Sequence, residues 1–285
     1  MPTQLESALE TKRAAGRLPE YAVEMKNFHC AFATELKGIV DALPLAPHMH
    51  VIDVGCGDGF YMELFASRLN DRGAVTGLDS NGAYLEIARK RLAQHSWLCH
   101  LHFVQGPLQV DVLPRGVGDL AWCAQSLFSL PEPSHALRSM AQAVHPGGFV
   151  AVLENDCLHQ VLLPWPPGLE LAVRTAELSF LISQAQPAPK HYVARRLPEL
   201  FAEAGLEPLE TRVCCTMRGP PFGEHLTAFL QAYLDRLARR VAGRLDRSQA
   251  RELAALIDHD SDEHLLRKPW ATIGWLNTVV WGRRP

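Results

Sequence analysis

The chain has 285 residues, which at roughly 100–200 residues per domain allows one large domain or two small ones. Hydrophobic residues make up 47% and charged residues 21%, a balance that excludes an intrinsically disordered chain. Lys and Arg number 28 against 31 Asp and Glu; the formal net charge of −3 gives no overall field to draw in nucleic acid or an anionic membrane.

The first sixteen residues hold no apolar stretch ahead of a small-residue cleavage site, and nowhere do 18 apolar residues run unbroken. A cytoplasmic protein without a membrane span is expected. Seven scattered cysteines without C-x-x-C spacing predict buried thiols rather than a disulfide scaffold, and no metal site is expected.

In chain order, a helical region over 1–46 comes first and reads as a lid. Short apolar runs then alternate with helical periods, the rhythm of βαβ units with a parallel sheet. Strands are predicted at His50–Val54, Ala74–Leu78, His102–Gln105, Asp119–Cys123 and Phe149–Glu154, with helices at Phe60–Leu69, Ala83–Gln94 and Ser134–Val144 between them. Pro146-Gly147-Gly148 closes the last of these helices. A helix at Arg195–Gly205 and strands at Glu210–Thr216 and Asn277–Trp281 bring the sheet to seven strands, so that the core over 47–156 is completed by 193–218 and 274–285.

The segments 157–192 and 219–273 break the rhythm and read as helical cap insertions. In the first, Leu169–Ile182 is apolar on nearly every face, as a helix enclosed on several sides would be. In the second, Leu226, Leu230, Tyr233, Leu237 and Val241 form a single stripe, and Arg236, Arg239, Arg240, Arg244, Arg247 and Arg251 opposite it read as a solvated face. Asp258–His264 reads as a polar interhelical turn. Trp270, Trp275 and Trp281 are expected to pack at the last strand.

The most informative stretch is His50-Val51-Ile52-Asp53-Val54-Gly55-Cys56-Gly57-Asp58-Gly59-Phe60, where a buried strand runs into glycines and then a helix. Glycine permits a sharp turn and close approach of a ligand, and the helix N-terminus offers free N–H groups. The next strand ends at Asp79, twenty residues beyond Gly59, where an acid takes both ribose hydroxyls. A dinucleotide loop needs a third glycine where bulky Phe60 stands, and Asp53 repels phosphate but suits an ammonium group. A zwitterionic nucleoside is the ligand these residues imply.

Asp53, Gly55, Gly57 and Gly59 resemble the acid-x-Gly-x-Gly-x-Gly first motif of the class I S-adenosylmethionine-dependent methyltransferases. The resemblance runs over about 47–154 and resumes at the Arg195–Gly205 helix. It implies a Rossmann-like, doubly wound α/β sheet of seven strands with an added helical cap, and S-adenosylmethionine as cofactor. By it, Asp53, Gly55, Cys56, Gly57 and Gly59 hold the methionine part, Asp79 binds the ribose, and Ser80 belongs to the same cofactor set. Gly106, Pro107 and Leu108 lie beside the adenine, and Gln125 completes the cofactor set. Pro107 stands where many relatives carry an acid, so backbone and apolar contacts hold the adenine.

The end of the fourth strand, Ala124-Gln125-Ser126-Leu127, faces the methyl group by the same resemblance. It lacks both the Pro-Pro-aromatic signature of base-amino methyltransferases and the carboxylates of metal-dependent ones. The pattern looks most like the small-molecule branch typified by quinone-biosynthesis C-methyltransferases and natural-product enzymes, and a small apolar or aromatic acceptor is expected. Candidate catalytic residues are His159, His191 and Tyr192; Tyr21, His29, Ser126, His159 and Tyr192 are candidate acceptor contacts. Two other functions stay open: an RNA or protein methyltransferase docking on the Arg236–Arg251 face, and a cofactor-binding module without catalysis. A nicotinamide oxidoreductase ranks below these. The chain is expected to bind no nucleic acid and to be a monomer or homodimer.

Overall fold

The computed structural model describes residues 17–107, 115–130, 132–183 and 192–285. Two helices, α1 (Ala22–Ala31) and α2 (Ala33–Asp41), precede the sheet. The core then alternates β1 (His50–Val54), α3 (Phe60–Ala66), β2 (Ala74–Asp79), α4 (Gly82–Leu92), β3 (His100–Gln105), β4 (Gly118–Ala124), α5 (Pro133–Ala143) and β5 (Val144–Glu154). After it come β6 (Val161–Leu162), α6 (Pro167–Ser183), α7 (Val193–Glu203), β7 (Glu207–Arg218), α8 (Glu224–Val241), α9 (Arg247–Ile257) and β8 (Ile273–Arg283).

The strands form one sheet in the order β3-β2-β1-β4-β5-β8-β6, with β7 also paired to β8. Pairing is parallel from β3 through β5, and antiparallel where β8 meets β5, β6 and β7. The chain winds outward from β1 to β3 and then crosses to β4. The β1–β4 gap is therefore the switch point, where α/β sheets open a crevice at the carboxyl ends of their strands.

Alternation along the strands sorts the core onto two faces. Val51, Leu120, Trp122, Ala151, Leu153 and Val279 point to one, packed with residues of α1, α2, α3 and α8. Ile52, Ala121, Cys123, Val150, Val152 and Val280 point to the other, packed with residues of α5 and α7. Helices on both faces make this the doubly wound architecture expected.

The structure corrects several boundaries. An eighth strand, β6, lies inside the 157–192 insertion and pairs with β8 through Val161 and Leu162, so that insertion is not purely helical. Val144 pairs with Gly118 as the first residue of β5 rather than ending a helix, and Pro146-Gly147-Gly148 lies within that strand. β8 extends through Gly282 and Arg283, because Phe149 and Val150 offer them partners. Helix α6 is not enclosed: Leu171 and Ile182 are 71% and 60% exposed while Leu169, Val173 and Ala176 are buried. Trp275 and Trp281 are buried as expected, but Trp270 is exposed.

The Arg236–Arg251 run is not simply solvated. Arg236 pairs with Glu24 of α1, and Arg240 reaches the fully buried Glu177 of α6 at 2.9 Å. Arg174 is the second cation beside Glu177, at 3.6 Å. Burial of Glu177 is tolerable because these cations compensate it.

Gly59 caps α3 in the left-handed region, with φ of 79°. A Cβ there would lie 2.9 Å from Ala88 Cβ and 3.0 Å from Ala88 Cα, so α3 and α4 approach closely only over a glycine. Gly59→Ala combines left-handed strain with overpacking and is expected to cost about 2–4 kcal/mol, read as a lowered urea midpoint at unchanged m-value.

Candidate active site

The site starts from the bend after β1. Gly55, Gly57 and Gly59 have φ of 80°, 51° and 79°, conformations that side chains other than glycine seldom adopt. The carbonyl of Leu78 accepts from Gly55 N at 2.8 Å and Cys56 N at 3.0 Å, tying the bend to β2. Asp79 continues the brace: its Oδ2 accepts from Gly57 N at 3.0 Å and its Oδ1 from Asn81 N at 2.8 Å. Asn81 in turn caps α4 by accepting from Ala83 N. Around Gly57 a Cβ would meet nothing within 4 Å, so space lies against the loop backbone.

Polar atoms without hydrogen-bond partners gather near this bend. Asp53 is 1% exposed and its Oδ2 is unpartnered. Burial, with the charges of Asp79 and Asp58 adding to it, pushes its carboxyl well above the usual carboxylate range. Trp122, the register partner of Asp53 on β4, buries an unpartnered Nε1, and Tyr61 on α3 buries an unpartnered hydroxyl with its ring 5.3 Å from that indole. Native interiors rarely leave such groups unsatisfied, and their gathering at the carboxyl ends of β1 and β4 makes them candidate ligand contacts.

A second polar group lies where β4 and β5 end and β8 runs past them. Gln125 has φ of 51°, the one non-glycine positive φ among the described residues. Its Nε2 donates to Asn155 Oδ1 at 2.7 Å, and Asn155 Nδ2 donates to Asn277 Oδ1 at 2.9 Å. Glu154, 1% exposed, accepts from Phe128 N at 3.2 Å and so holds the turn after β4. Burial raises its carboxyl to about 8, against the opposing pull of backbone N–H groups.

Helix α1 closes the bend from above. His29, 7% exposed, stacks on Phe60 at 4.3 Å and sets Nδ1 3.5 Å from Asp58 Oδ1. Asp58, between Gly57 and Gly59, also meets Arg91 at 2.7 Å. Burial opposes its ionisation, but the neighbouring His29 and Arg91 hold it down at about 2. Phe28, Phe32, Phe229 and Trp275 form a buried aromatic cluster with ring centroids 5.0–6.0 Å apart, joining α1 to α8 and β8.

Residues 51–148 match the family described as a methyltransferase domain. The chain is similar to the ubiquinone/menaquinone biosynthesis C-methyltransferase UbiE of Shewanella sediminis, 27% identical over 115 residues, 40% of this chain and 46% of that protein. The UbiE of Ectopseudomonas mendocina is 31% identical over 123 residues, 43% of this chain and 46% of its own length. In fold the chain is similar to the crystal structure of BH2331 from Bacillus halodurans, with a TM-score of 0.55 at 16% identity, covering 88% of this chain and 99% of that one. Residues 51–148 therefore carry a methyltransferase domain. It spans about half the length of the curated relatives it matches.

Within the methyltransferase domain, Asp53, Gly55, Cys56, Gly57, Gly59 and Asp79 come together at the bend, with Ser80 directly after β2. Gly106 N donates to Asp79 O at 3.1 Å, which brings Gly106 and Pro107 alongside. Leu108 and His191 lie outside the described residues. The acceptor-side residues are less gathered. Ser126 Oγ turns back onto Ala124 O at 3.0 Å. His159 is an exposed residue whose Nδ1 accepts from Arg195 at 2.9 Å, beside Asp156. Tyr192 lies under the same Arg195, 4.5 Å from ring to guanidinium, and Tyr21 is half exposed just before α1. His29 does reach the bend.

Asp58, Glu154, Asn155, Asn277 and the indole of Trp122 escaped the sequence reading. The signal for Asp58 was its place inside the glycine triplet, and for Glu154 a charge closing an apolar strand.

Glu154 offers a pH test. A folded-state carboxyl near 8 against an ordinary 4.5 keeps its proton where the unfolded chain has lost it. Stability is therefore lost as pH rises from about 4.5 to 8, at up to ~1.4 kcal/mol per pH unit from this group, and levels off above. Glu154→Gln keeps the acceptor for Phe128 N, and its urea-derived stability is expected to exceed the wild type's at pH 8 by a few kcal/mol, with little difference at pH 4.5.

Proposed function

We propose that the chain is an S-adenosylmethionine-dependent methyltransferase acting on a small apolar or aromatic acceptor, without a metal. The unpartnered, buried Asp53 carboxylate beside an open-sided glycine bend is the observation that carries this reading. The donor set fits that cofactor. Asp53 meets an ammonium group, the Gly55–Gly59 backbone admits a close ligand, and Asp79 offers carboxylate oxygens, each able to accept two hydrogen bonds, to ribose hydroxyls. Gly106 and Pro107 stand for the adenine side.

Bound there, the cofactor supplies an electrophilic methyl group on a sulfonium. What remains for the chain's own residues is alignment and exclusion of water. The brace from Leu78 and Asp79 keeps the bend from relaxing when a ligand enters or leaves. Phe28, His29 and Phe60 cover it with apolar and stacked surface, and Trp122 and Tyr61 wall the crevice on the β4 side. His159, His191 and Tyr192 remain candidates for a base. The likeness to quinone-biosynthesis C-methyltransferases and the aromatic lining support a small acceptor. The pairing of Arg236 and Arg240 with carboxylates of α1 and α6 favours it over a nucleic acid docked on α8.

Isothermal titration with S-adenosylhomocysteine is expected to give binding, and titration with NADH none. Burial disfavours the ionised form of Asp53 and an ammonium partner favours it, so binding is expected to be accompanied by proton release, seen as an enthalpy that varies with buffer. Asp53→Asn is expected to weaken binding at least tenfold and to abolish that release. No heat with S-adenosylhomocysteine, or binding of NADH in its place, overturns the reading.

A further inference from the structure

The three amides at the rim of β4, β5 and β8 are wired in series, and the wiring leaves its two ends open. Gln125 spends its NH2 group on Asn155, and Asn155 spends its own on Asn277 Oδ1 and on Leu276 O, the latter at 2.6 Å. Trp275 Nε1 also donates to Asn277 Oδ1, at 3.2 Å. Two polar atoms are left over, both buried and without partners: the carbonyl Oε1 of Gln125 and the NH2 of Asn277. Asn277 is 1% exposed, so water does not satisfy it by default. Asn155 fixes both ends, since each of its side-chain atoms is engaged. Gln125 further holds a left-handed backbone, a conformation unfavourable for residues other than glycine that recurs where a side chain must be aimed.

This chain of amides starts at the carboxyl end of β4, beside the switch point, and runs past the end of β5 to β8. We propose that it is the acceptor-recognition element, with Gln125 Oε1 receiving a hydrogen bond from the nucleophile and Asn277 Nδ2 donating to an oxygen elsewhere on the same molecule. The inference rests on the functional reading above and deepens it. An amide carbonyl accepts a hydrogen bond but takes no proton at neutral pH, so it orients a group that carries its own hydrogen, an O–H or an N–H. The acceptor is then a planar alcohol, phenol or amine, methylated on oxygen or nitrogen. The heteroatom lone pair forms the new bond to the methyl carbon, the methyl–sulfur pair stays on sulfur, and the proton of the O–H or N–H leaves to water. Gln125 belongs on this account to the acceptor rather than to the cofactor.

The test uses the full chain saturated with S-adenosylhomocysteine and three probes: 1-naphthol, 1-naphthylamine and 1-methoxynaphthalene, followed by equilibrium dialysis. The first two are expected to bind at least tenfold more tightly than the third, which has no hydrogen to give. Gln125→Met is expected to reduce that ratio below threefold while S-adenosylhomocysteine affinity stays within twofold. Asn277→Asp, which keeps Oδ1 for Asn155 and Trp275 and replaces the open NH2 donor with a carboxyl oxygen, serves if the methionine variant fails to fold. Measured with a fourth probe that carries an oxygen away from its hydroxyl, methyl 5-hydroxy-2-naphthoate, it is expected to weaken binding at least fivefold without touching cofactor affinity. Equal binding of the methyl ether, a preference that survives Gln125→Met, loss of cofactor affinity in either variant, or no binding of any probe overturns the proposal. Failure of the wild type to bind S-adenosylhomocysteine is seen before any probe is added, and it overturns the functional reading instead.

Discussion

One carbonyl and one carboxylate hold the whole arrangement. Leu78 O receives two successive N–H groups of the glycine bend, and Asp79 receives a third while fixing the start of α4 through Asn81. A backbone in the left-handed region at three nearby positions has no intrinsic reason to stay in one shape, because glycine is the residue with the most conformational freedom to lose. Hydrogen bonds from the neighbouring strand remove that freedom. The ligand-facing surface is therefore set by the β1–β2 register before any ligand arrives, and α3 and α4 are placed by the same contacts.

On that foundation the methyltransferase domain sorts its polar groups by environment. Asp53 and Glu154 are carboxyls deprived of counter-charge and held toward the neutral form, whereas Asp58, a few residues away, has His29 and Arg91 beside it and stays ionised. The difference lies in depth and in partners together. A carboxyl with no resident cation waits for one, which is what a cationic ligand supplies.

Much of this was legible from the order of residues. Strand-then-glycine at Val54-Gly55, the acid at Asp79 and the alternation of apolar runs located the sheet and the bend, because local backbone chemistry dictates both. What escaped depends on contacts distant in sequence. Asn277 and Gln125 are 152 positions apart, and only antiparallel pairing of β8 with β5 brings their amides into one chain. β6 is two residues long, below any periodicity, and exists because β8 offers it an edge. The arginines of α8 looked solvated because the carboxylates that meet them, Glu24 and Glu177, lie on other helices. Helix α6 looked wrapped because composition reports how apolar a segment is, not which side its neighbours occupy.

β6 also tells how the fold tolerates elaboration. By lying alongside β8 just beyond the last residue that β5 pairs there, it stitches the first insertion back to the sheet soon after leaving it. A graft fastened at its root transmits little of its own variation to the stock. Sequence change farther along that graft can then remodel α6 while the bend, built from β1 and β2, keeps its geometry. Diversity on one side and constancy on the other are thus separated by a patch of ladder only two residues wide.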